Sequence, residues 1–282
     1  MLISKIRGLN HKIDILKYQI FNKFKKKSGL NNGIHKKKII ISLTTYPKRF
    51  SVVYLTIESL LNQTLKPDKI ILWLSKEDLK DRNIPFEILK LKDRGVTINL
   101  VDENLKSYKK LIYSLEDFFD YKIVTCDDDV IYPQYFIAKL YAKYQEYPSS
   151  VIAYRCSFIQ KNAEKHLAPY ISWKALTCSA PSYNLFPTGV GGILYPPNIL
   201  NKKVFDKKLF LRLSPSGDDI WFKAMALLNN RKTVMVYEKS IEFPVIKGSQ
   251  DEALWHLNVT MNKNDEQLKN VFDYFDLYKY IE

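Results

Sequence analysis

Apolar residues recur through the first two dozen positions at alternating steps of four and three: Leu2, Ile6, Leu9, Ile13, Leu16 and Ile20. That spacing keeps one helical face apolar and predicts a single amphipathic helix over residues 2–27. Lys5, Lys12, Lys17, Lys23 and the run Lys25–Lys26–Lys27 occupy much of the remaining circumference, with Phe21 and Phe24 as further apolar contacts. Gly29 and Asn31–Asn32–Gly33 stop the helix. A second basic triplet, Lys36–Lys37–Lys38, precedes the next apolar segment.

From residue 38 the period changes. Ile39–Ile40–Ile41–Ser42–Leu43 is a short continuous apolar run, as expected of a strand buried on both faces of a parallel sheet. Residues 51–62 return to helical spacing (Val53, Ile57, Leu60, Leu61) and end at the turn signal Lys66–Pro67–Asp68. Further strands are expected at 69–74, 96–100 and 122–126, and helices at 108–119 and 220–228. This rhythm predicts an α/β fold with an open, mostly parallel sheet flanked by helices, whose ligands bind at the carboxyl ends of the strands. The chain divides into a basic amphipathic helix and linker (1–37) and a catalytic body (38–282).

Charge sharpens that division. The 282 residues carry a net +14, and residues 1–38 hold eleven Lys/Arg against one acid, Asp14. The rest is only mildly basic, which argues against nucleic acid as a partner. The basic helix suits an anionic membrane surface reached through residues 1–27. That predicts a cytoplasmic protein, peripheral on the inner face of the cell membrane. A coiled-coil arm or a helix docked on the body would use the same spacing. Cys126, Cys156 and Cys178 are too few for a disulfide framework and suit a reducing compartment. No apolar run reaches the about 18–20 residues of a membrane span.

Asp127–Asp128–Asp129 follows the strand at 122–126 directly, where an α/β sheet places its ligands. Extended alternation would put Asp127 and Asp129 on one side and Asp128 on the other. Two such carboxylates invite a hard cation, Mn²⁺ or Mg²⁺, bridging to a diphosphate. Val130–Ile131–Tyr132–Pro133 resumes apolar sequence at once, so the acids sit between structured elements. Asp218–Asp219 opens the helical run at 220. One of the two would cap that helix, and the other, Asp219 ahead of Asp218, would serve as general base. Gly189, Gly191 and Gly192 imply close backbone approach, either around a sugar or diphosphate or in a tight bulge between strands.

Taken together, Ser42–Leu43–Thr44–Thr45–Tyr46–Pro47–Lys48–Arg49, Ser59–Leu60–Leu61–Asn62–Gln63–Thr64, Thr125–Cys126–Asp127–Asp128–Asp129–Val130–Ile131–Tyr132–Pro133, Gly189–Val190–Gly191–Gly192 and Asp218–Asp219–Ile220–Trp221 resemble bacterial GT-A glycosyltransferases. The likeness is to family-2-like enzymes of capsule, lipopolysaccharide and other surface glycans, over residues 38–270. It implies a nucleotide-diphosphate sugar donor, with a UDP-sugar expected, and a glycan or lipid-linked acceptor. The diphosphate would be bridged by Mn²⁺ or Mg²⁺ to Asp129 and Asp127, with His256 as a further candidate ligand. Thr44, Tyr46 and Arg49 would lie near the nucleoside, Lys110 near the diphosphate, and Asp128 among the donor-binding groups. Gly189, Gly191, Gly192 and Trp221 would line the acceptor or sugar pocket, with Tyr170, Trp173 and Trp255 as candidate stacking platforms. The Asp218–Asp219 segment favours inversion. Two departures stand out. Leu74–Ser75–Lys76–Glu77–Asp78 replaces the usual Asp-Gly-Ser ending, and the Gln-x-x-Arg-Trp motif of processive polymerases is missing, which favours one sugar per encounter. A sugar nucleotidyltransferase and a non-catalytic, membrane-associated glycan-binding protein are the rival expectations.

Overall fold

The computed structural model describes residues 2–31, 33, 37–80, 82–174, 177–247, 249 and 263–281, and only the backbone of residues 2–10. Among the described residues nine strands follow in chain order: β1 (Ile39–Thr44), β2 (Lys69–Ser75), β3 (Val96–Val101), β4 (Lys122–Cys126), β5 (Val151–Ala153), β6 (Cys156–Phe158), β7 (Leu185–Pro187), β8 (Ile193–Tyr195) and β9 (Thr233–Met235). Seven form one sheet in the order β3-β2-β1-β4-β8-β5-β9, and β6 and β7 form a separate antiparallel pair. β1 pairs in parallel with both β2 and β4, and β2 with β3. β8 runs antiparallel between β4 and β5, and β9 closes the sheet parallel to β5. The fold is therefore α/β with a mostly parallel sheet.

The continuous apolar run of β1 is explained by what covers each face. Ile39, Ile41 and Leu43 join a fully buried cluster with Val53 and Leu60 of α2 (Phe50–Leu61) and Ile137 and Leu140 of α6 (Phe136–Glu146). Ile40 joins a second cluster with Leu111 and Ile112 of α5 (Lys109–Asp117) and Phe222 and Met225 of α8 (Asp218–Leu228). With helices on both faces, no position in the strand needs a polar side chain.

The N-terminal helix α1 (Leu2–Phe24) stops three residues short of its predicted end and lies against the body. Its inward face is not the expected apolar ladder. Tyr18 is buried against Leu55, Ile131 and Ile246, with Ile15 and Phe21 at the rim. The Asn22 amide donates to Glu58 Oε1 at 3.4 Å and to the Glu87 carbonyl at 3.1 Å. Glu58 is itself buried in an ion pair with Arg94, whose Nε donates to the Lys27 carbonyl at 3.2 Å. Ile13, Leu16, Ile20 and Phe24 are exposed on the other side.

Candidate active site

β1 and β4 end side by side, Leu43 opposite Cys126, so the segments that follow them meet. After β4, the backbone of the acidic triplet is anchored at three points. The Asp127 N–H donates to Tyr132 Oη at 3.0 Å, Thr56 Oγ1 donates to the Asp128 carbonyl at 3.0 Å, and the Ile246 N–H donates to the Asp129 carbonyl at 2.8 Å. The side chains sort differently from the expected alternation. Asp128 and Asp129 share the guanidinium of Arg49, which lies 3.1 Å from Asp128 Oδ1 and also pairs with Asp129 Oδ2. Thr45 Oγ1 donates to Asp128 Oδ2 at 2.5 Å, and Ser249 Oγ to Asp129 Oδ2 at 2.9 Å. Asp127 instead meets Lys110 Nζ at 2.9 Å. The triplet lies beyond the last residue of β4, where strand alternation no longer governs, and Asp127 and Asp129 take different cation partners, Lys110 and Arg49.

Lys110 draws the second acidic pair into the same place. Its carbonyl accepts the Ser42 hydroxyl, which also accepts from Trp73 Nε1 at 3.0 Å and Ser114 Oγ at 2.7 Å, so the first turn of α5 is tied to β1. Lys110 Nζ lies 3.2 Å from Asp218 Oδ2, an ion pair by distance without hydrogen-bond alignment. Asp219 Oδ2 accepts the Gly189 N–H at 2.8 Å, while Asp219 Oδ1 is sealed from solvent with no hydrogen-bond partner. Neither aspartate caps its helix by side-chain hydrogen bonding, and the cap position is Gly217. A Cβ on Gly189 would stand 2.8 Å from Lys110 Nζ and 3.2 Å from Asp219 Oδ1, so only glycine fits there undisturbed.

This packing sets the protonation behaviour. Burial works against the Lys110 ammonium, yet Asp127, Asp218 and Asp219 together hold it charged well above the ordinary lysine range. Burial first, and Asp218 second, push Asp219 up to about 7. Burial likewise raises Asp128 to about 7, against the pull of Arg49 and the Thr45 hydroxyl.

Other expected site residues fall elsewhere. Thr44 Oγ1 donates to the Trp73 carbonyl at 2.9 Å, and the Arg49 guanidinium carbon lies 5.9 Å from the Tyr46 ring centre. Gly191 and Gly192 do not open onto a pocket, because the space beside their Cα atoms is filled by Arg155 and the Phe136 ring. Gly192 also has φ +79, the left-handed conformation that glycine adopts at no steric cost. Trp221 is corrected outright. It is fully buried, its indole N–H donates to the Val204 carbonyl at 3.2 Å, and its ring packs among Phe210 and Phe275, so it offers no face to an acceptor. Tyr170 and Trp173 pack on each other at 5.1 Å and on Phe186. His256 and Trp255 lie outside the described residues. Thr45 and Ser249 were not anticipated. Thr45 sits inside the quoted segment after β1, opposite in phase to Thr44, and was legible there. Ser249 stands 120 positions from Asp129 with no local signal.

The metal implied by the resemblance can be tested on the donor set. Among the described residues no group of three His, Cys, Asp or Glu side chains is gathered to hold an ion. The charge balance nevertheless suits one. Asp127, Asp128, Asp129, Asp218 and Asp219 outnumber the cations that pair with them, Arg49 and Lys110. The donors are all hard oxygens, and Mg²⁺ or Mn²⁺ needs only one or two carboxylates when phosphates and water complete its shell. Asp127, with a 30% exposed side chain, is the accessible donor; Asp129, at 4%, is committed to Arg49 and Ser249.

No protein-family model matches the chain, and no curated protein matches it in sequence. Solved structures do resemble it. The S. aureus TarS structure in complex with UDP is 11% identical with a TM-score of 0.46, covering 73% of this chain and 59% of that one. The present chain thus spans less than two thirds of that relative. The mannosyltransferase PcManGT of Pyrobaculum calidifontis, in complex with GDP-Man and Mn²⁺, is 12% identical with a TM-score of 0.46, covering 99% of this chain and 84% of that one. The UTP-bound UGPase of Acinetobacter baumannii is 12% identical with a TM-score of 0.43, covering 87% of this chain and 99% of that one. Likenesses this distant carry no argument about activity.

Proposed function

We propose that the chain is a glycosyltransferase that moves a sugar from a nucleotide-diphosphate donor to a hydroxyl of a glycan or lipid-linked acceptor, with inversion and one sugar per encounter. The observation that carries this is the convergence of Asp127, Lys110, Asp218 and Asp219 around Gly189, past the end of β4, with one Asp219 oxygen unpartnered. A site for this transfer needs a base for the acceptor proton and a positive group for the departing diphosphate, and both are present within one cluster.

In the proposed reaction the acceptor oxygen attacks C1 of the sugar and gives its proton to the Asp219 carboxylate. The C1–O bond to the diphosphate breaks, and the nucleoside diphosphate leaves with the electron pair. Asp219 is suited to the role because a base with its proton affinity near neutrality is ionised in use yet basic enough to accept. Asp218 and Asp127 keep the Lys110 ammonium fixed and charged beside the leaving group, so little reorganisation is needed as charge develops. Arg49, held by Asp128 and Asp129, supplies a second fixed cation on the nucleoside side of the site. A divalent ion would be held by Asp127, the accessible donor, and would supply charge compensation for the diphosphate.

Product analysis tests the proposal. Incubation with UDP- or GDP-sugars and a hydroxyl acceptor should release free nucleoside diphosphate. Release of pyrophosphate from a nucleoside triphosphate and a sugar phosphate would assign the chain to the nucleotidyltransferase class instead.

A further inference from the structure

We infer that the outward face of α1 is a docking surface for an anionic lipid bilayer. Ile13, Leu16, Ile20 and Phe24 recur at steps of three and four, and are 55%, 58%, 49% and 68% exposed. Side chains at those steps share one helical face. The opposite face is the one spent on the body, through Tyr18 and Asn22. The ladder is therefore left without a partner by a helix whose orientation is already fixed.

The charges beside the stripe identify its occupant. In helical projection Lys12 and Lys23 flank it on one side and Lys17 on the other, and Lys26 and Lys27 follow the helix end, exposed. Lys23 Nζ lies 5.3 Å from the Phe24 ring centre, placing cation and aromatic ring together at the border. Apolar side chains edged by lysines fit the boundary between acyl chains and negatively charged headgroups. A second copy of the helix fits poorly. Its lysines would face lysines, and the one acid in residues 1–38, Asp14, already stands 3.9 Å from Lys17 of the same helix.

Docking would act on the candidate site from behind. Tyr18 packs on Ile131, two residues past Asp129, and on Ile246, whose N–H holds the Asp129 carbonyl. A helix lying on the bilayer therefore keeps the acidic turn one helix away from the lipid surface.

The test is vesicle co-sedimentation of the full chain, which requires no donor or acceptor and so stands or falls apart from the transferase proposal. The chain should sediment with phosphatidylglycerol-containing vesicles, stay in solution with pure phosphatidylcholine, and be released by raised salt. Leu16→Glu with Ile20→Glu should weaken sedimentation by at least about tenfold, with an unchanged melting temperature because both positions are exposed. Lys12→Glu with Lys23→Glu should weaken sedimentation with the anionic vesicles. Equal binding to neutral vesicles, no binding to anionic ones, or an unaffected Leu16→Glu/Ile20→Glu variant would overturn the inference. So would a dimer of the wild-type chain that this variant converts to monomer, because the stripe would then belong to a second copy.

Discussion

Lys223 lies wholly inside the molecule on α8, with its ammonium 3.5 Å from Thr233 Oγ1. Burial lowers it to about 7, opposed only by the Cys156 thiol. In the unfolded chain the same lysine holds its proton to about 10.4. Between these values the unfolded state binds more protons, so stability should rise with pH across that window and stay level in this respect below it. Lys223→Met should remove that slope and raise stability at pH 7 by about 1–3 kcal/mol, read from denaturant melts at several pH values. Asp219 behaves in the opposite sense as an acid and concerns turnover. Its raised proton affinity predicts a rate that climbs with pH to a plateau above about 7. Asp219→Asn should abolish that climb and lower turnover by about 10²–10⁴-fold while donor binding survives. Equal loss of donor binding would make Asp219 a donor contact and not a base.

Elements act here by carrying charges to one another. The turn Gly189–Gly191 between β7 and β8 lies against the first turn of α8, and the room for it is the missing Cβ of Gly189. Gly189→Ala should displace the Lys110 ammonium and reduce turnover well beyond any change in melting temperature; a variant as active as wild type would show that Lys110 can move without cost. At α1 the coupling is structural. Arg94→Met leaves Glu58 buried without its cation and should cost about 3–5 kcal/mol, most of it recovered by adding Glu58→Met. The elements themselves were largely legible. β4 spans the very residues the sequence predicts, and β1, β2 and β3 differ by one residue at an end. Runs of buried isoleucine and leucine have one solution in a sheet covered on both faces. What the sequence did not reveal is pairing across loops. Arg49 reaching Asp129, and Ser249 reaching it from the far side, depend on where chain segments meet. Trp221 was misread because its place beside Asp219 in sequence says nothing about which face of α8 it occupies. Ile13, Leu16 and Ile20 share one exposed face of α1 as their spacing predicts, but the inward surface, led by Tyr18, carries no periodic signal.

At the scale of the molecule, the basic excess and the acidic cluster are segregated. The basic excess sits in residues 1–38, while the acids of the candidate site cluster beyond the carboxyl ends of β1 and β4. A local surplus of carboxylates over cations is costly in the free protein, and a ligand that brings compensating charge would relieve it. Such a ligand should therefore stabilise the whole fold, and the site variants should separate that gain from the activity. The most direct measurement is calorimetric titration of UDP and GDP into the wild-type chain and Asp127→Asn, each with and without Mn²⁺. The wild type should bind a nucleoside diphosphate more tightly when Mn²⁺ is present, and Asp127→Asn should lose that enhancement while keeping its melting temperature. Nucleotide binding absent in every condition, or an enhancement untouched by Asp127→Asn, would contradict the placement of the donor diphosphate at this cluster.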